Sequence, residues 1–272
     1  MPDANGGEDD VDEGVRVDLN ADAGESFGAW PMGADTRLFP ALSSVNVACG
    51  FHAGDPATML RTVRLAREHG VAIGAHPGYP DLVGFGRRDM AVDPEQVHAD
   101  VLYQLGALSG ILRAEGLALH HVKPHGALHH RVTQDEAAAD AVARAIRDVS
   151  ADVPFVVLGG PGGTVMQQAA QAHGLRTIRE AFPDRAYLAS GTLAPRTMPG
   201  ALVHDPDEVA ARAVAMVTRG EVPAVDGGST RVEAETLCIH GDGPRAPDIA
   251  AAVREALEGA GVEVRAHGGV DV

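Results

Sequence analysis

Val17-Asp18-Leu19-Asn20-Ala21-Asp22-Ala23-Gly24-Glu25-Ser26-Phe27-Gly28 begins in an apolar and polar alternation and runs into small polar residues and glycine. The run from Val15 to Leu19 reads as a strand, and the Asn, Asp, Gly and Ser after it favour a turn. The pattern recurs along the chain. Ser44 to Gly50 runs into Phe51-His52-Ala53-Gly54-Asp55, Val71 to Ala75 into His76-Pro77-Gly78-Tyr79-Pro80-Asp81, and Leu117 to Val122 into Lys123-Pro124-His125-Gly126. Each strand thus delivers Asp, His or Lys at its carboxyl end. Ligands bind at that edge in parallel α/β folds, so the turns are expected to face one another around a single site.

Helical signals separate these strands. Asp55-Pro56 starts a helix with Met59, Leu60, Val63 and Ala66 inward, ending at Gly70. Asp93 and Gln96 fit a capping box ahead of Val97, Val101, Leu105, Leu108 and Leu112, and Thr133 with Glu136 is read as the cap of the next helix. Val153 to Leu158 is a strand leading into Gly159 to Gly163, and Thr177 to Ala181 another leading into Phe182-Pro183-Asp184-Arg185. Asp205-Pro206 opens a helix that stops at Gly220. Thr236 to His240 is a last strand before a helix carrying Ile249, Val253 and Leu257. The alternation predicts a parallel sheet. Polar clusters stand at nearly every strand end instead of at one switch point, which favours a closed or nearly closed (β/α) barrel of about seven strands over an open sheet.

Composition narrows the function. The 272 residues are 45% hydrophobic and 4% aromatic, enough for one large α/β domain with an aliphatic core. Residues 1–14 are acidic, lack Lys and Arg, and are expected to be a disordered extension, with 15–272 forming a single barrel domain. A net charge of -16 argues against nucleic acid or an anionic membrane as partner. No signal-peptide pattern and no membrane-spanning apolar run is present, and Cys49 and Cys238 both sit in apolar runs. A cytoplasmic protein with reduced core thiols is expected.

Asp18, Asn20, Asp22, His52, Asp55, His76, Asp81 and His125 are the polar groups expected to converge. Asp22, His52 and His76 suit a metal that activates water, while Asp55 reads first as a helix N-cap. His120-His121 and His129-His130 should each contribute at most one ring, because neighbours on a strand point apart. Lys123 is the sole lysine of the chain. At a strand end it suits a phosphate, a carboxylate or a developing oxyanion, and its plain alternative is an ion pair with an acidic turn. Gly159 to Gly163 could cradle phosphate or simply make a tight turn. No Walker sequence and no Gly-x-Gly-x-x-Gly after a first strand occurs.

Asp18-Leu19-Asn20-Ala21-Asp22 with Gly24 to Gly28, Asn46 to Asp55, Gly74 to Asp81, Phe85-Gly86-Arg87-Arg88, Val122 to Leu128, Glu180 to Tyr187, Gly191 to Arg196 and Cys238 to Asp242 together resemble the 5-oxoprolinase A-subunit (LamB/YcsF) family. The resemblance covers roughly residues 16 to 265. It implies a (β/α) barrel similar to the glycoside hydrolase/deacetylase superfamily. It also implies ATP-dependent opening of 5-oxo-L-proline to L-glutamate, with magnesium and with the B and C subunits of 5-oxoprolinase as partners. The positions it points to as catalytic are Asp22, His52, His76, Lys123 and His125. Those expected to hold substrate or phosphate are Asp18, Asn20, Asn46, Asp81, Arg87 and Arg88. A divalent metal would sit at Asp22, His52 and His76. Two other classes fit the same residues: a stand-alone metal-dependent deacetylase or amidohydrolase, and a non-catalytic subunit that binds substrate.

Overall fold

The computed structural model describes residues 14–241, 243 and 245–267; the expected acidic extension, apart from Gly14, lies outside them. The strands are β1 (Arg16–Ala23), β2 (Ser44–Ala48), β3 (Ala72–His76), β4 (Phe155–Leu158), β5 (Thr177–Ala181), β6 (Glu221–Pro223), β7 (Ser229–Arg231), β8 (Thr236–Ile239) and β9 (Glu263–Val264). The main sheet runs β3-β2-β1-β8-β5-β4 with every neighbour parallel, and β9 adds a short parallel pairing to the start of β1. β6 and β7 form a separate hairpin with no counterpart among the expected strands.

The sheet closes on itself through one residue. Val122 bridges Ala75 of β3 on one side and Phe155 of β4 on the other. The Ala75 N–H donates to the His121 carbonyl at 2.9 Å, and the Val156 N–H donates to that of Val122 at 2.9 Å. The strand expected over Leu117 to Val122 is therefore reduced to a bridge. Pro124 on this segment and Pro154 on its neighbour have no N–H, which removes a rung on either side of Val122. The circuit is a parallel barrel of about seven staves, as the alternation predicts.

Outside the barrel lie α1 (Asp35–Leu38), α2 (Pro56–Glu68), α3 (Pro94–Ala114), α4 (Gly126–Val132), α5 (Glu136–Val149), α6 (Thr164–Ala172), α7 (Pro206–Arg219) and α8 (Ala246–Gly259). Asp55 caps α2 as expected, accepting the N–H groups of Ala57 and Thr58 at 2.9 and 3.1 Å. Asp93 caps α3 through Gln96 N–H, but the Gln96 side chain turns to Asp100, so only half of the capping box forms. Asp135, not Thr133, caps α5, accepting from Ala137 and Ala138. Thr133 instead ends α4 with its hydroxyl on the His130 carbonyl, because the unforeseen α4 already occupies the preceding residues.

β1 is longer than the sequence suggests. Its Asn and Asp lie inside the strand, so Asp18, Asn20 and Asp22 share one face and point into the barrel while Val17, Leu19 and Ala21 pack outward in the main core. The interior is built in polar layers. Asp18 accepts the hydroxyls of Ser43, Ser44 and Thr236 at 2.6, 2.7 and 2.5 Å. Above it the Asn20 amide donates to Thr236 and to Glu180, and Asn46 donates both to the Asn20 carbonyl oxygen at 2.7 Å and to Asp22 at 3.0 Å. Such a network holds position because leaving any member unpaired in low dielectric is costly. It forms the floor of the site.

Candidate active site at the carboxyl ends of the strands

Asp22 stands near the end of β1, His76 ends β3, His125 precedes α4, Lys123 follows the closing bridge, and His52 lies in the loop after β2. The rings of His52 and His125 stack with centroids 3.8 Å apart, and His76 meets both edge-on. Gly86 makes this packing feasible. Its backbone has φ +63°, and an added Cβ would stand 2.7 Å from the His52 Cβ and 2.8 Å from the His125 ring. The Phe85-Gly86 loop thus clamps the histidines, as a loop and not as a nucleotide fingerprint.

Hydrogen bonds assign the protons. His76 Nδ1 lies 2.7 Å from the Lys123 carbonyl and His125 Nε2 lies 2.8 Å from the Phe85 carbonyl, so each donates its N–H outward. The inner nitrogens, His76 Nε2 and His125 Nδ1, then face each other at 3.0 Å, with an Asp22 oxygen 3.3 Å from His76 Nε2. Two lone pairs and a carboxylate at that spacing demand a proton or a cation between them. Burial and the neighbouring rings push His52 and His125 well below the ordinary imidazole value, which keeps both neutral and able to ligate. Neither buried nitrogen of His52 has a hydrogen-bond partner, and Glu25 faces it at 3.8 Å. Ligand atoms of Glu25, His52, His76 and His125 all lie within 4.8 Å of one another. The carboxylate of this group is Glu25, to which the sequence motifs assign no role. Asp22, expected among the ligands, is held instead between His76, Asn46 and Lys123.

Lys123 is 3% exposed and therefore no surface ion pair. Its Nζ lies 3.2 Å from Asp22, 3.0 Å from Glu180 and 2.9 Å from Cys238 Sγ. Burial disfavours its charge, yet Asp22, Cys238 and Glu180 hold its ammonium well above the ordinary lysine value. Asp22 is the converse. Burial raises its carboxyl, but His76 and Lys123 outweigh that and keep it ionised well below the usual range. Glu180 moves upward, because it is completely buried and Lys123 offsets only part of the penalty. Cys238 is thus a neighbour of the lysine as well as a core thiol.

Asp22, His76, Lys123 and His125 open into a cavity of about 850 Å³ whose wall carries Arg87, Arg185, Arg196, Phe182 and His240, while His52, Glu25, Glu180 and Cys238 lie behind this lining. Of the expected binding residues, Arg87 lines it, with its guanidinium 4.9 Å over the Phe85 ring. Arg88 does not: it pairs with Asp81 and its side chain is mostly exposed, so these two brace the loop. Asp18, Asn20 and Asn46 lie below the cavity floor in the interior network, a consequence of the length of β1. Gly159 to Gly163 forms a tight turn in which the Gly159 N–H donates to the Glu180 carbonyl at 2.8 Å and the Gly163 N–H to the Gly160 carbonyl at 3.2 Å, so these two amides are already used. Both His129 and His130 line the cavity, since they sit on a helix where neighbours are not opposed, and His120 and His121 contact each other at 2.8 Å.

His121, in the interior floor, provides a stability prediction. It is 3% exposed, its Nε2–H donates to Asn46 at 2.7 Å, and burial depresses its basicity well below the ordinary value. The unfolded chain, with imidazoles near 6.5, then binds more protons, so stability is full above about pH 6.5 and falls as pH drops below it. The thermal midpoint is expected to decline from pH 8 to 5.5, and His121→Gln to flatten that decline. An equally steep decline in the variant would assign the acid sensitivity elsewhere.

A parallel barrel with histidines, a paired carboxylate and a buried ammonium converging at the carboxyl ends of its strands defines a β/α barrel with its candidate active site at that edge. Residues 17–271 match the LamB/YcsF family profile, and the chain belongs to that family. The 5-oxoprolinase A subunit of one Thermus thermophilus strain is 61% identical over 252 residues, spanning 93% of this chain and 100% of the relative. That of Deinococcus radiodurans is 55% identical over 248 residues, spanning 91% and 96%. Among solved structures, the lactam utilization protein of Thermus thermophilus superposes with a TM-score of 0.88 at 60% identity, covering 92% of this chain and 99% of that one. A protein from Enterococcus faecalis named for cellobiose-phosphate cleavage shares the fold alone, at TM-score 0.55 and 16% identity over 92% and 97% of the chains.

Proposed function

We propose that this chain is the A subunit of an ATP-dependent 5-oxoprolinase, opening 5-oxo-L-proline to L-glutamate with the B and C subunits in the cytoplasm. Full-length identity of about 60% to relatives carrying that name is the observation that carries the reading. The site chemistry suits it. A γ-lactam is an unactivated amide, so its oxygen attacks the γ-phosphorus of magnesium-bound ATP and ADP leaves. Water adds to the activated carbon, the ring C–N bond breaks with a proton moving to nitrogen, and a second water releases phosphate and glutamate. Lys123 neutralises charge on the lactam oxygen and its phosphate. Asp22, kept ionised beside His76, accepts a hydrogen bond from the attacking water and orients it, and the water's proton passes to the ring nitrogen as the C–N bond breaks.

The unpartnered His52 nitrogens and the facing lone pairs of His76 and His125 fit a divalent cation, with Glu25 as the carboxylate ligand. Such an ion would supply Lewis acidity. Purified protein is expected to carry about one transition-metal ion per chain by elemental analysis, and His52→Gln to lower that content several-fold. Unchanged content in the variant, or metal-free wild-type protein that takes up none from zinc or manganese, would remove the metal. This same cluster supports a second reading, a stand-alone metal-dependent amidohydrolase. Glutamate release that is unaffected by omitting ATP would select it, and no release from the complete mixture of subunits would refute the first reading.

A further inference from the structure

Arg185 has no role in the chemistry above, yet its placement is unusual. It follows β5, is 7% exposed and lines the cavity. Its Nη2 donates to the Ala194 carbonyl at 2.7 Å, while its buried Nε has no hydrogen-bond partner. The adjacent Asp184 turns away to His240, accepting its backbone N–H at 3.0 Å and its Nδ1–H at 2.8 Å. No ion pair to Arg185 forms among the described residues. Arg196 and Arg87 line the same cavity, and burial together with their charge lowers the basicity of the Arg185 guanidinium. A buried guanidinium near like charges at the wall of a cavity, with no ion pair among the described residues, is a site for an anion.

The distribution of charge selects which anion. On the floor, Lys123 is already compensated by Asp22 and Glu180, whereas Arg185 on the wall has no ion pair among the described residues. Phe182 also lines the cavity, 5.3 Å from the Lys123 ammonium and stacked on His240 at 5.7 Å. A small ring with a neutral amide at one end and a single negative charge at the other matches this arrangement. We propose that Arg185 binds the carboxylate of the lactam substrate, directing the lactam carbonyl across Phe182 toward Lys123 and selecting acid lactams over the same ring without a carboxylate. This rests on the lactam-opening reading and assigns the orientation of the substrate within it.

The test uses the assembled enzyme with Arg185→Met and Arg185→Lys, each first checked for an unchanged thermal midpoint. The KM for 5-oxoproline is expected to rise by about 30-fold or more, because truncating one partner of a buried charge pair is costly. The KM for ATP should stay within about 2-fold, and kcat should change far less than KM. Inhibition by 2-pyrrolidinone, which lacks the carboxylate, should be unaltered, so that the preference for the acid disappears in Arg185→Met. A raised KM for ATP with an unchanged KM for 5-oxoproline would make Arg185 a phosphate ligand and overturn the assignment. Equal weakening of 5-oxoproline and 2-pyrrolidinone, or variants of either kind that fold poorly, would make it structural. An active wild-type enzyme with insensitive variants rejects this inference alone, whereas an inactive wild-type mixture rejects the lactam-opening reading and the inference with it.

Discussion

Lys123→Met in the assembled enzyme is expected to lower ATP-dependent glutamate release by about 10²-fold or more, the scale of losing a preorganised charge at a developing oxyanion. The substitution also strands Asp22 and Glu180, both of which the ammonium contacts within 3.2 Å. Removing one partner of a buried pair typically costs about 3–5 kcal/mol, so the thermal midpoint should fall as well. The two effects can be separated. Lys123→Met combined with Glu180→Gln removes one of the stranded charges, and Asn20, which donates to residue 180 and is itself tied to Thr236, remains to hold the amide position. The double variant should recover part of the lost stability while turnover stays low. Turnover that recovers in step with the thermal midpoint would show that Lys123 only holds the barrel floor together.

The purified chain by itself, with ATP, magnesium and 5-oxoproline, is expected to release glutamate at least about 10³-fold more slowly than a typical enzymatic rate of about 1 per second. The sequence has no Walker motif, and in the glycine-rich turn at Gly159 to Gly163 the Gly159 and Gly163 N–H groups are already bonded to carbonyls of the chain. The cavity does offer cations, Arg87, Arg185 and Arg196, but Arg185 is taken by the substrate carboxylate. The remaining nucleotide contacts are then expected from the B and C subunits. Adding both should restore turnover, and omitting either should abolish it. Glutamate release by the chain alone at about 1 per second or faster, with contaminating subunits excluded, would end the multi-subunit reading.

Much of this is legible in the chain itself. The Asp55-Pro56, Asp93-Pro94 and Asp205-Pro206 helix starts are local hydrogen-bond chemistry, and all three aspartates accept N–H groups of the first turn. The parallel barrel follows from repeated strand and helix alternation, and the strand-end placement of His52, His76, Lys123 and His125 follows from residue order. Other features depend on distance through space. Asn and Asp carry local turn preferences, so nothing near Asn20 in the chain announces that β1 continues to Ala23; Asn46, Thr236 and Glu180 decide that, by offering hydrogen bonds from other strands. Glu25, Glu180 and Arg185 are visible in the sequence only as members of motifs, because a carboxylate or guanidinium acquires its role from the charges it is buried beside. Periodicity and capping act over a few residues, so the chain alone fixes the fold class and the edge on which the chemistry gathers. Which side chains share that edge is settled by the folded arrangement, since burial and Coulomb interaction depend on separation in space and not on separation along the chain.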